Sequence, residues 1–558
     1  MRETGLAALA VALCAPLFAA REPVRARSAM VVTREAHATE VGIQTLKSGG
    51  NAVDAAVAIG FALAVTHPPA GNLGGGGFLL VRMADGRAAF LDFRERAPLA
   101  ATRNMYLDEN GHLRDWSRFG YLASGVPGTV KGLEAAHRRF GRARWADLLA
   151  PAVRLAREGF PLSYDQARSL RDQCALFDGF PESRRIFLKD GLYYDPGERF
   201  VQADLARTLE RIREHGARDF YEGETARLLA ADMRANGGLI TLEDLKRYAV
   251  AERQPLRGVY RGYEILTAPP PSSGGIGLLQ MLGMLEESEY FRGGAGSAAV
   301  IHFMAEVQRR FYADRSEHLA DPEFHPVPVS RLLDPAYIAE RRRSIDPDRA
   351  TPSSAVRPGG VAAAERESAE TTHYSVVDAE GNAVAVTYTL NGSYGSGVTP
   401  KGLGFLLNNE MDDFSAKPGE PNLYGAIQGE ANRVEPYKHP LSSMTPTIVL
   451  RDGALRMVLG SPGGTTIINT VLEVLVNVLD FRMNIQRAVE FPRFHHQWMP
   501  DELRVERDVS PDTIALLKAR GHTIRLVEKQ GEVCAILWDG SWLQGAADGR
   551  VEATALGY

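Results

Sequence analysis

Cysteine is scarce: Cys14, Cys174 and Cys534 are the only three in 558 residues. That excludes a disulfide-framed scaffold, and if the first twenty residues are removed only Cys174 and Cys534 remain, one possible pair. An excess of positive charge is missing as well. With 64 Lys and Arg against 69 Asp and Glu, the net charge is -5, so no general pull towards nucleic acid or anionic lipid exists and no nucleic-acid partner is expected. After the first twenty residues no apolar run is long enough to span a bilayer, so no membrane span is expected once that segment is gone. Phosphate-loop spacing is absent too. "NLGGGG", Asn72 to Gly77, has neither the Lys-Ser/Thr ending nor GxGxxG spacing, and reads as close backbone packing. "RFHHQW" holds His495 and His496, but neighbours on a strand point apart and no third ligand follows at zinc-like spacing. A structural role is expected for both, and neither metal nor cofactor.

What is present suits a large globular fold, since 45% of the residues are hydrophobic. "MRETGLAALAVALCAPLFAA" reads as a secretory signal peptide over 1–20, with a basic residue, an apolar run and small residues. Glu3 and a poor small-x-small site count against it; a short membrane anchor or a buried helix are the alternatives. Asn51 can cap a helix whose apolar residues run nearly all round, which implies burial between layers. Two strands turning at Asp85 and Gly86 follow, the second ending at Arg94. Ser124 to about Arg343 reads as mostly helical. Residues 344–370, rich in Pro, Gly and small or charged residues, have little to bury and are expected to be a mobile surface segment. Beyond Thr371 the pattern turns to strands: "HYSVVD" and "AVAVTYTLN", then "TPTIVL" and "ALRMVLG", with "SPGG" opening a strongly apolar helix. Strand pairs and apolar helices at both ends of the chain imply a layered α/β architecture.

The segment "ETTHYS" sets Thr371 and Thr372 at the start of a strand. A threonine hydroxyl is a weak nucleophile and needs a base. If the bond before Thr371 were cut, its own α-amine, titrating at about 7.7–8.0 in reference peptides, would supply one. On spacing alone, the polar lip of a hairpin is the plainer reading. "SPGG" offers backbone N–H groups at a helix N-terminus, suited to an oxyanion; an ordinary glycine turn is its alternative. "EMDDF" supplies Glu410, Asp412 and Asp413, "PLSSMTP" supplies Ser442 and Ser443, and Arg94 ends a strand. Acids could take an ammonium while Arg and hydroxyls take a carboxylate, although each group alone is more often part of a solvated loop.

Together, "TTHYSVVDAEGNAVAVTYTLN", "LLNNEMDDFSAKPGEPNLYG", "PLSSMTPTIVLRDG", "GSPGG" and "PRFHHQWMPDELRVE", with "GNLGGGGF", "LDFRERAP", "APPPSSGGIG" and "FYADRSEHLADPEF" earlier, resemble the γ-glutamyltranspeptidase family in order and spacing. The likeness runs from about Ala38 to the C-terminus. It implies an N-terminal-nucleophile hydrolase fold, αββα, made as one precursor that cuts itself between Glu370 and Thr371. A large subunit, 21–370, and a small one, 371–558, would share one compact domain. The resemblance further implies Thr371 as nucleophile, Thr389 as its positioning partner, and Gly463 and Gly464 as oxyanion contacts. Arg94, Ser442 and Ser443 would hold the substrate's α-carboxylate; Asn391, Glu410 and Asp413 would hold its α-amine. The implied substrates are glutathione and other γ-glutamyl compounds, with water, an amino acid or a dipeptide as acceptor. Position 410 is Glu where many bacterial relatives have Gln, which bears on affinity rather than mechanism. Tyr424, in a stretch like the family's lid loop, would gate the site and favour small substrates. A cephalosporin-acylase-like amidase of the same fold and an unprocessed exported binding protein are the rival readings.

Overall fold

Two seven-stranded antiparallel sheets stack face to face in the computed structural model, which describes residues 21–358, 371–417 and 429–558. One sheet runs Val24–Ala26, Leu543–Ala547, Cys534–Trp538, Ala454–Gly460, Thr447–Arg451, Tyr263–Thr267 and Leu256–Tyr260. The other runs Thr554–Gly557, Met30–Thr33, Thr372–Val377, Ala383–Thr389, Gly76–Arg82, Ala88–Phe93 and Ala251–Arg253. Apolar side chains such as Val32, Leu80, Ile448 and Ile536 fill the space between the sheets. Helices Ala36–Lys47 and Ala52–Thr66 cover the outer face of the second sheet, and Gly274–Glu286 and Thr466–Leu479 that of the first. The layering is therefore αββα, as the sequence implied. Among the described residues no helix is long and apolar enough to cross a membrane.

The strands at the centre of the second sheet are buried on both faces. Every residue of Thr372–Val377 and of Ala383–Thr389 is buried. Their β-branched and aromatic side chains suit that position. On the helix side Tyr374 and Tyr388 donate to Ala56 O and Gly60 O. On the sheet side Ser375 Oγ donates to Cys534 O. Helix Ala52–Thr66 is buried at all fifteen positions. Asn51 caps it through Val53 N and Asp54 N, and Asp54 returns a bond to Asn51 N. The glycine run before Gly76–Arg82 allows close approach: a Cβ on Gly75 would collide with Thr389 O.

Two expectations change. The stretch expected to be mostly helical contains strands Ala251–Arg253, Leu256–Tyr260 and Tyr263–Thr267, the first two of which each form the edge of a sheet. Short, half-exposed edge strands carry too little hydrophobic alternation to stand out among helices. In the segment expected to be mobile, residues 344–358 are tied down. Arg310 donates to Ser344 O, Trp498 Nε1 donates to Ser353 O and Val356 O, and Ser353 N donates to Asp501. Their anchors lie far away in sequence, so composition alone could not reveal them. Residues 359–370, like residues 1–20, expected to be a signal peptide, and Tyr424, lie outside the described residues.

Candidate active site

Thr371 stands immediately before the strand Thr372–Val377, at the end where that strand pairs with Tyr388. Its Oγ1 donates to Thr389 Oγ1 at 3.4 Å, and Thr389 Oγ1 also accepts from Asn391 N at 2.8 Å. The neighbouring Thr372 points the other way, as strand alternation requires, and its buried Oγ1 has no partner among the described residues. Of the two hydroxyls, only that of Thr371 borders open space. It lies on the wall between a small cavity of about 20 Å³ and a larger one of about 870 Å³.

The small cavity is lined by Arg94, Thr371, Thr389, Asn391, Glu410, Asp413, Ser442, Ser443 and Gly464, with Met444 and Ile467. Nine residues singled out from the sequence thus meet in one place. Arg94 follows the last residue of strand Ala88–Phe93, and Asn391 turns the chain after Ala383–Thr389 with φ of 73°. Glu410 and Asp413 share one 3-10 turn. Ser442 and Ser443 precede strand Thr447–Arg451. Gly464 sits in the junction between strand Ala454–Gly460 and helix Thr466–Leu479. Gly463 lines the larger cavity beside Thr371, while Glu370 and Tyr424 lie outside the described residues. Neither Gly463 N–H nor Gly464 N–H has a hydrogen-bond partner among the described residues. Two such donors next to a nucleophile can receive a developing oxyanion.

Charge in the small cavity is unbalanced. Arg94, 1% exposed, pairs with Glu410 and with Asp413 (2.6 Å) and lies 3.7 Å from Glu95. Burial opposes its cation, but Glu410, Asp413 and Glu95 outweigh that and hold its pKa above the ordinary range. Burial pushes Glu410 up to about 8, with Arg94 opposing and Glu95 adding to the rise. Glu95 is pushed up to about 7, again mainly by burial. No N–H or hydroxyl among the described residues donates to either Glu95 oxygen or to Glu410 Oε2, although the Glu95 and Glu410 carboxyls are close enough to share a proton. Sequence reasoning missed Glu95. Its one signal was an acid directly after a strand-end arginine in "FRERAP". One guanidinium, three carboxyl groups and two serine hydroxyls around a nucleophile complement a small zwitterion carrying an acyl group.

Histidines elsewhere are structural in their contacts. His495 bonds Asn469 and Gln497, and His496 Nδ1 accepts from Trp498 N; burial lowers them to about 3 and about 4. His302, Glu306 and His522 bring ligand atoms within 4.8 Å of one another. Glu306 is already engaged by Arg309 and Arg310, however, and two guanidinium groups oppose a further cation. Cys174 and Cys534 are both free thiols.

A family model described as Gamma-glutamyltranspeptidase matches residues 38–558. The chain is 50% identical over 541 residues to the glutathione hydrolase proenzyme of Escherichia coli (strain K12), covering 96% of this chain and 93% of that protein. Among solved structures, a cephalosporin acylase from Bacillus halodurans is similar with TM-score 0.85 and 25% identity, over 99% of each chain. The γ-glutamyltranspeptidase of Helicobacter pylori is similar with TM-score 0.58 and 47% identity, over 58% of this chain and 94% of that one.

Proposed function

The chain belongs to the γ-glutamyltranspeptidase family, and we propose that it is a self-processing glutathione hydrolase and γ-glutamyltransferase whose nucleophile is Thr371. The observation that carries this reading is the small cavity where Thr371 meets Arg94, Asn391, Glu410, Asp413, Ser442 and Ser443. In the precursor, Thr371 Oγ attacks the Glu370 carbonyl carbon. The C–N bond breaks, the nitrogen becomes the α-amine of Thr371, and water hydrolyses the ester. A large subunit ending at Glu370 and a small one beginning at Thr371 result. The 1–20 segment directs export to the periplasm or outside the cell.

In turnover the new α-amine takes the Thr371 hydroxyl proton, and Thr389 orients the oxygen through the contact already present. Oγ attacks the γ-carbonyl carbon of glutathione or a similar donor, and the N–H groups of Gly463 and Gly464 hold the oxyanion. The proton passes to the leaving amine, which departs towards the larger cavity. Water then releases glutamate, or an amino acid or dipeptide amine captures the acyl group as a new γ-glutamyl peptide. Arg94, Ser442 and Ser443 hold the α-carboxylate; Asn391, Glu410 and Asp413 hold the α-ammonium. Without substrate, Arg94 is held by Glu410 and Asp413, so the glutamyl group enters by exchanging its own charges for that pairing. Tyr424 closes over the bound donor.

The likeness to a cephalosporin acylase favours a second reading, an amidase for glutaryl side chains. A glutaryl group lacks the ammonium and would leave Glu410 and Asp413 uncompensated. Comparing γ-glutamyl and glutaryl p-nitroanilides separates the two readings: turnover of the glutaryl compound alone would reject the transferase. Thr371→Ala should stay a single inactive chain, as judged by denaturing electrophoresis and assay. A processed, active Thr371→Ala protein would contradict the mechanism.

A further inference from the structure

Two sequence motifs with no role in the mechanism above, "APPPSSGGIG" and "FYADRSEHLADPEF", converge directly behind Ser442 and Ser443. The first supplies Ser273, the N-cap of helix Gly274–Glu286; the second supplies Arg315, fully buried near the end of helix Ala298–His318. Arg315 Nε donates to Ser273 Oγ at 2.8 Å, and Arg315 Nη2 donates to Ser443 Oγ at 3.1 Å. Ser273 Oγ donates to Ser442 O at 2.8 Å, and Ser273 N donates to the same carbonyl at 2.7 Å. Ser272 Oγ reaches Met444 O at 2.7 Å, so the whole Ser442–Met444 backbone is gripped from the helix side. The grip is tight, because a Cβ on Gly274 would collide with Thr445 Oγ1.

We propose that Arg315, with Ser273 as its relay, is a positioning residue for the carboxylate half of the small cavity and sets the preference for acyl donors that carry an α-carboxylate. A serine oxygen that accepts from a guanidinium keeps its own proton for donation and is polarised into a stronger donor. Ser443 lines the cavity wall, where its hydroxyl meets a bound anion. The Arg315 charge sits one hydroxyl away from that anion, in a medium where field is weakly screened. Arg94 then grips the carboxylate directly, while Arg315 acts through Ser443. The inference rests on the reading of Ser442 and Ser443 as carboxylate donors.

Three p-nitroanilides test it: γ-glutamyl, glutaryl, which lacks only the α-amine, and 4-aminobutyryl, which lacks only the α-carboxylate. Ser273→Ala and Arg315→Gln should raise KM about tenfold for both carboxylate-bearing substrates, with kcat of the processed enzyme within about twofold. Their kcat/KM for the 4-aminobutyryl compound should stay within about twofold, so the γ-glutamyl preference narrows about tenfold. Arg315→Lys, which keeps a charge and a donor, should recover part of the KM. A parallel loss on all three substrates, or no change in the preference, would overturn the proposal in favour of a merely structural clamp. So would failure of all three variants to yield folded, processed protein. The underlying functional reading is judged separately, by whether the unsubstituted enzyme turns over the γ-glutamyl compound.

Discussion

Of the clusters of buried charge among the described residues, one centres on Arg94 and another on Arg309, and both arginines are 1% exposed. Burial therefore does not distinguish them; balance does. Around Arg309, two cations (Arg309 and Arg310) meet two acids (Glu306 and Asp501), and Glu306 also accepts from Thr351 N. Desolvation would raise the Glu306 pKa, yet Arg309, Thr351 and Arg310 hold it below the ordinary value. That cluster fastens residues 344–356 to the body of the protein through Ser344, Thr351 and Ser353. Around Arg94, one cation faces three acids, both Glu95 oxygens and Glu410 Oε2 have no N–H or hydroxyl donor among the described residues, and the group opens on a cavity. A cluster that satisfies itself is a fastener. One that leaves charge over is poised for a ligand that completes it.

The largest expected effect comes from removing the cation of the unbalanced cluster. Arg94→Ala leaves three acids facing one another and the substrate carboxylate unmet. Steady-state kinetics on the γ-glutamyl anilide should show KM raised about 100-fold or more, equivalent to about 3 kcal/mol. A change below threefold would erase the distinction drawn between the clusters. Arg309→Ala should behave in the opposite way. Thermal or denaturant unfolding should report a loss of about 3 kcal/mol, and less precursor should mature. KM of the enzyme that does mature should remain within about twofold, and a large rise would mean that the fastener belongs to the site.

The smallest effect is the sharpest. Glu410 must be ionised to pair with an ammonium, and its pKa in the free enzyme is about 8. The ratio of kcat/KM for γ-glutamyl over glutaryl anilide should therefore rise about 50-fold from pH 6 to 8, because the ionised share of Glu410 climbs from about 1% to about half over that window. The glutaryl reference cancels titration of the Thr371 amine. Glu410→Gln should flatten the ratio, and an unchanged slope would assign the titration elsewhere. Stability of the ligand-free fold runs the other way. With its folded pKa raised above the ordinary 4.5, Glu410 contributes most below that pH, and the contribution is lost as pH rises through about 8.

Local pattern made much of this legible. The cap at Asn51, the hairpin of Thr372–Val377 and Ala383–Thr389, and the Gly463–Gly464 junction all follow from short-range rules that the fold obeys. The cavity residues were recognisable because each motif carries a chemistry of its own, and resemblance tied them together. What stayed hidden depends on contacts between distant segments. Glu95 looks like any acid beside an arginine until Gly76, Gly125 and Glu410 pack against it. Residues 344–358 look unburiable until Trp498 and Asp501 meet them. Ser273 and Arg315 read as a loop serine and a helix arginine, and only packing of their two helices brings both behind Ser443.

The central claim is that Thr371 becomes a chain terminus and that its amine and hydroxyl then act together. N-terminal sequencing of purified enzyme, active on a γ-glutamyl anilide and separated under denaturing conditions, addresses it directly. Two chains are predicted, the smaller beginning Thr371, Thr372, His373. An active protein that remains one uncut chain, or whose smaller chain begins at Thr372 or any other residue, would contradict the account.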